Sequence, residues 1–131
     1  MEPVLCLATA IFFEARDQPI TGQEMVAEVV MNRVDHDRFP DNVCDVVYQS
    51  KAFSFTHDGK SDDMLGYNTH YDTQAQALAM AIAKDYMVGH HRLGSPSTHY
   101  HTLSVAPFWS KSFVVDGIVG DHIFYTCDGY C

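Results

Sequence analysis

Residues 3–13 (PVLCLATAIFF) carry no charged side chain, and the first charge after them is Glu14. A helix that is apolar all round has no face to offer to water, so it belongs at the centre of a fold with other elements wrapped around it. Pro3 suits a first helical turn, and the spacing predicts a helix over residues 3–16. The run is too short to span a bilayer. It also lacks a basic leader and an A-x-A site, so it is not read as a signal peptide.

The chain of 131 residues has the length of one domain, and residues 1–131 are taken as a single unit. With 47% hydrophobic and 19% charged residues, it has the means to bury a core, which excludes a disordered chain. The net charge of −9 has the wrong sign for phosphates, which argues against a nucleic-acid partner. Four cysteines (Cys6, Cys44, Cys127, Cys131) permit two disulfides in three pairings, or four free thiols. Cys6, inside the apolar run, reads as a small buried hydrophobe.

A second helix is expected from TGQE, with Thr21 as N-cap and Glu24 closing a capping box. Met25, Val26, Val29, Val30 and Val34 then form one stripe. Arg33 falls on that stripe and must snorkel, or meet a carboxylate or helix carbonyls. After the break at Phe39-Pro40, a short helix is expected over residues 43–49, followed by a long loop over 51–71. The alanine-rich segment 73–88, stopped by Gly89, is helical. Residues 98–105 and 122–126 are strand-like in composition, with turns between them. The expected fold class is α+β: about four helices beside a small antiparallel sheet in the C-terminal part.

Glu14 is the residue with most to say about chemistry. On an otherwise apolar face, burial raises its pKa, because the charged form loses solvation. A carboxylic acid still protonated near neutrality is what protonating a glycosidic oxygen requires. The alternative is a helix-end Glu turned to solvent, or paired with Arg16 or Arg33. Glu28 points away from the valine stripe and is expected in solvent. If it lined a groove beside Glu14, it would be the second carboxylate of an inverting or retaining glycosidase.

His99 and His101 alternate onto one strand face, and His122 from a neighbouring strand would make a zinc triad. The competing reading is a polar groove without metal. Phe53, Phe55, Tyr67, Tyr71, Tyr100, Phe108, Trp109 and Tyr125 gather in the loop and sheet regions. Aromatic rings there would suit the C–H faces of sugars, or would simply pack a core. Trp109 is the leading surface candidate.

IFFEARDQPITGQEMVAEVVMNRV, FPDNVCDVVYQ, AFSFTHDG, STHYHTLSVAPFW and GDHIFY occur in that order. This pattern resembles the SleB/CwlJ-type cell-wall hydrolase family of spore-cortex-lytic enzymes, from about Leu5 to Tyr125. The resemblance implies a lysozyme-like fold acting on peptidoglycan glycan strands. It implies cleavage between N-acetylmuramic acid and N-acetylglucosamine, often as a lytic transglycosylase, with the Glu of the F-E-A-R block, here Glu14, as catalytic acid. It also implies that Phe53, Ser54, His99, Tyr100 and His101 border the glycan groove; His122, Trp109 and Tyr125 are further contact candidates from the readings above. Many relatives carry Gln where this chain has Ala52.

The primary expectation is thus a metal-independent, monomeric glycosidase with no cofactor, acting at the bacterial wall or periplasm. Without an export signal, it would resemble a phage lysin held in the host cytoplasm before release, or an excised domain. The acidic charge favours local substrate contacts over electrostatic steering towards an anionic wall. Two rivals are a zinc-dependent N-acetylmuramoyl–L-alanine amidase built on His99, His101 and His122, and a glycan-binding module in which Glu14 is structural.

Overall fold

The computed structural model describes residues 2–49, 53, 55, 59–90, 92–127 and 131. Four helices come first: α1 (Pro3–Ala15), α2 (Ile20–Val34), α3 (Val43–Val47) and α4 (His70–Met87). Three strands follow, β1 (His99–Thr102), β2 (Val114–Val119) and β3 (His122–Thr126). The fold is α+β, with four helices and a small antiparallel sheet in the C-terminal part, as the sequence pattern led one to expect.

The uncharged run forms the central helix. Cys6, Leu7, Ala8, Ala10, Ile11, Phe12 and Ala15 are fully buried, and α2, α3 and α4 all pack on α1. Each large side chain buried this way contributes about 1.5–3 kcal/mol of apolar transfer. Thr9 is tolerated in this core because its hydroxyl donates back to the Leu5 carbonyl at 2.7 Å.

Several element ends differ from the sequence expectation. Helix α2 starts at Ile20 with Pro19 at the N-cap and no side-chain cap, so the Thr21–Glu24 capping box does not form. Pro19 already holds its φ at −54°, which lets the helix begin before Thr21 and leaves that residue inside the first turn. Helix α4 starts earlier than residue 73, because the Thr69 side chain accepts from the Asp72 N–H and so caps His70–Met87. Helix α3 stops at Val47.

The sheet order is β1-β3-β2, antiparallel throughout. Strand β2 was not expected; its register shifts between Val115 and Gly117. Val114, Val115 and Ile118 are all exposed, so it shows no apolar–polar alternation to read. Strand β1 is also shorter than 98–105. The cross-strand pairs Tyr100↔Phe124 and Thr102↔His122 share one face, and His99↔Tyr125 and His101↔Ile123 share the other. The first face turns to the helices, where Phe124 packs with Met25 and Val29 and Tyr100 joins them.

The cysteines pair as Cys6–Cys44 and Cys127–Cys131. Cys6 is thus not a lone buried hydrophobe. It is a covalent tie between the central helix and α3.

Candidate active site

Glu14 sits in the last turn of α1, where the central helix meets the inner face of the sheet. Tyr100 on β1 donates its hydroxyl hydrogen to Glu14 Oε1 at 2.5 Å, across a separation of 86 residues. Burial raises the Glu14 pKa above its ordinary value, while the Tyr100 hydrogen bond and the Arg33 charge pull it partly back. Burial, with Glu14 beside it, also lifts the Tyr100 phenol well above its usual range, so it stays a donor.

Arg33 resolves the puzzle of a cation on an apolar stripe. Its Nε donates to the Thr98 carbonyl at 2.7 Å. Its guanidinium lies over the rings of Phe39 (4.9 Å) and Phe53 (5.5 Å). Burial lowers its pKa to about 10, and the charges of Tyr100 and Glu14 oppose that shift. Arg16 goes elsewhere: it faces Asp72 at 3.9 Å and lies over the Phe12 ring.

Two cavities meet at Glu14. One, of about 460 Å³, is lined by Phe13, Arg33, Tyr100, His101, Val105 and His122 as well as Glu14. The other, of about 490 Å³, is lined by Asp17, Gln18, Ser104, Asp121 and His122 as well as Glu14. Together they form a cleft with Glu14 where its two halves meet.

The other expected site residues distribute unevenly. Phe53 is only 2% exposed and touches Tyr100 and Phe55 ring to ring. It therefore braces the site from behind and offers no open platform. His122 lies on the inner face, buried, with its pKa lowered chiefly by that burial. His101 sits at the cleft with its ring fixed: Nδ1 meets the Thr102 carbonyl at 2.7 Å, so Nδ1 carries the hydrogen, and Nε2 accepts from the Tyr125 hydroxyl at 2.8 Å. His99 packs against Phe113 and Trp109 on the outer face, with its pKa lowered to about 4 by burial and Arg33. Trp109 belongs to that outer cluster, in contact with Tyr125, His101 and Phe113. Ser54 lies outside the described residues, as do Ala52, His57 and His91.

Glu28 is not in solvent. It is 1% exposed, and its carboxylate accepts from the backbone N–H groups of Leu93 (3.2 Å) and Ser95 (3.0 Å). The wheel argument failed because the 93–95 loop covers that side of α2. With both oxygens committed there, Glu28 serves as an anchor for the approach to β1. The zinc triad is split by the sheet: His99 and His101 face one way and His122 the other. Among the described residues, three donor atoms converge within 4.8 Å only at His36, Cys127 and Cys131. That group is away from Glu14, and its two sulfurs are joined in a disulfide.

Phe13, Asp17, Gln18 and Asp121 were not singled out from sequence, yet all line the cleft. The signal available was proximity in the chain, since Phe13 and Asp17 flank Glu14 and Asp121 precedes His122.

A lysozyme-like α+β domain with a half-buried carboxylic acid at mid-cleft is the class of protein that this fold and site define. The chain belongs to the Cell Wall Hydrolase family, whose sequence profile matches residues 17–125; the match opens just after Glu14. The spore cortex-lytic enzyme of Halalkalibacterium halodurans is 30% identical over 118 residues, which is 90% of this chain and 33% of that protein. That of Bacillus cereus is 36% identical over 76 residues, 58% of this chain and 27% of the relative. The chain thus spans about a third or less of these relatives' length.

Among solved structures, the catalytic domain of the germination-specific lytic transglycosylase SleB from Bacillus anthracis superposes with a TM-score of 0.76 and 26% identity. The match covers 95% of this chain and 93% of that one. The catalytic domain of Bacillus cereus SleB has the same fold, at a TM-score of 0.68 and 24% identity, covering 95% of this chain and 89% of that one. Among the described residues, no helix is long and apolar enough to cross a membrane.

Proposed function

We propose that this chain is a single catalytic domain that cleaves the N-acetylmuramic acid–N-acetylglucosamine bond of peptidoglycan as a lytic transglycosylase. The observation that carries this is Glu14: one carboxyl group at the middle of a cleft, with its pKa raised by burial. Similarity to the SleB catalytic domain supports the same reading.

In this mechanism the protonated Glu14 gives its hydrogen to the glycosidic oxygen as the C–O bond breaks. Tyr100 occupies Oε1, which leaves Oε2 to carry the transferred proton. The resulting carboxylate then takes the hydrogen of the muramic acid 6-hydroxyl. That oxygen closes on the anomeric carbon, and the product is a 1,6-anhydro ring. Donated and recovered protons balance, and no water is consumed. One carboxylate suffices, which fits a Glu28 held by the 93–95 backbone. Arg33 favours the carboxylate formed midway, so the group is neither too weak an acid nor too weak a base.

The domain acts at the bacterial wall, as a monomer and without a metal or other cofactor. His101 and His122 border the glycan, and Trp109 with Tyr125 supports the His101 ring from the outer face. The test is digestion of purified sacculi after exhaustive chelation, with products identified by mass. Anhydro-muropeptides are the expected products. Reducing muramic acid ends would replace transglycosylation by hydrolysis, and activity lost on chelation and restored by zinc would return the amidase.

A further inference from the structure

Residues 92–98 belong to no helix or strand, yet Ser97 and Thr98 near the end of this strap are buried. A buried irregular segment must find partners for its backbone groups outside any ladder. Three residues of α2 supply them. Glu28 accepts from the N–H groups of Leu93 and Ser95. One turn on, the Asn32 side-chain amide donates to the Ser95 carbonyl at 2.7 Å and to the Ser97 carbonyl at 2.9 Å. Its neighbour Arg33 donates to the Thr98 carbonyl at 2.7 Å. From the sheet side, the Ser97 hydroxyl donates to Asp116 Oδ2 at 2.7 Å.

The strap leads straight into the site. Tyr100 stands two residues beyond Thr98, on a strand of four residues at an edge of the sheet. So short a ladder gives its register few bonds. A slip of one residue would carry the side chain about 3.3 Å along the strand and to the opposite face, away from Glu14. Arg33 depends on the same segment, through its bond to Thr98.

We infer that Asn32 is a positioning residue for the reaction: by holding the strap 93–98 on α2, it sets where Tyr100 and Arg33 stand against Glu14. Asn32 is not among the described residues that line either cavity at Glu14, so it acts through those two side chains and not on the glycan. The inference rests on the glycosidase reading and adds to it a residue remote from the bond that breaks.

The titratable and charged groups that line the cleft around Glu14 are Tyr100 and His101 from β1, Arg33 from α2, His122 from β3, Asp17 after α1 and Asp121 in the β2–β3 turn. Of these, Tyr100 and Arg33 favour its charged form against the effect of burial. Loosening the strap weakens both, so the Glu14 pKa rises.

The test is Asn32→Ala on purified sacculi. The basic limb of the kcat profile is expected to move to higher pH. At the optimum kcat falls about fivefold with the apparent KM unchanged, the scale of one net hydrogen bond. In a Tyr100→Phe background the same substitution moves the limb less, because part of its route is already gone. A limb left in place with only the Tm lowered would overturn the inference and leave Asn32 a structural residue. Where Asn32→Ala does not fold, Ser97→Ala carries the test. It removes the tie to Asp116 and keeps the Asn32 bonds to the backbone, so a smaller shift in the same direction is expected, and an unmoved limb would overturn the inference.

A carbon-NMR titration of the Glu14 carboxyl reads the positioning without turnover. A raised midpoint in Asn32→Ala, with no fragments released by the wild type, would keep the positioning and remove the glycosidase. An unmoved midpoint beside normal release of anhydro-muropeptides would remove the positioning and leave the glycosidase intact.

Discussion

The hydroxyl of Tyr100 and Oε1 of Glu14 are 2.5 Å apart, and the phenol is the donor. This contact joins the end of the central helix to the first strand of the sheet. It fixes one carboxyl oxygen of a residue that lines both halves of the cleft. Three influences then set the proton affinity of Glu14, with burial the largest and opposed by Tyr100 and Arg33.

Removing the phenol hydroxyl tests this balance. In Tyr100→Phe the carboxylate loses a donor that favours its charged form, so the Glu14 pKa rises further. The basic limb of the kcat/KM profile is expected to move to higher pH. The rate at the optimum falls about tenfold or more, since a hydrogen bond to a charged group is worth roughly 1.5–3 kcal/mol. An unmoved limb would mean that Tyr100 does not set the acid.

Stability should show the same group by another route. The folded pKa of Glu14 lies above its ordinary value of 4.5. Its favourable contribution is therefore fully present below the unfolded value, and is lost as pH rises through the folded one. Glu14→Gln cannot ionise and does not suffer that loss. Its Tm is expected to match the wild type in acid and to exceed it at neutral pH and above. Thermal melts across this range check the sign; a variant less stable than wild type at neutral pH would contradict it.

Much of this was legible beforehand, and the exceptions have physical causes. The uncharged run announced a central helix, and the isolated Glu14 announced a carboxyl group whose pKa is raised by burial, because charge interrupting an apolar face is rare and local. Strand β2 was hidden, since Val114, Val115 and Ile118 are exposed and a register shift near Gly117 breaks the period. The capping box misled because Pro19 preorganised the helix start. Glu28 misled because its cover is a loop 65 residues away in the chain, and a helical wheel contains no loops. The Asp17–Gln18–Asp121 group was invisible for the same reason: 103 residues separate its halves.

The Cys6–Cys44 bond closes a loop with a sequence separation of 38. Chain entropy puts its contribution at about 4 kcal/mol. Cys6→Ala/Cys44→Ala should lose about that much in urea unfolding, with the removed sulfur contacts in the core adding to the loss. A loss below about 1 kcal/mol would show that packing alone holds α3 against the central helix.

The most direct measurement is the rate at which Glu14→Gln releases soluble muropeptides from purified sacculi, beside the wild type and with folding verified. A general acid contributes roughly a hundredfold to ten-thousandfold, and here the same group also serves as the base. The variant is expected to fall by about a thousandfold or more while still binding sacculi. Release at a rate near that of the wild type would contradict Glu14 as the proton donor.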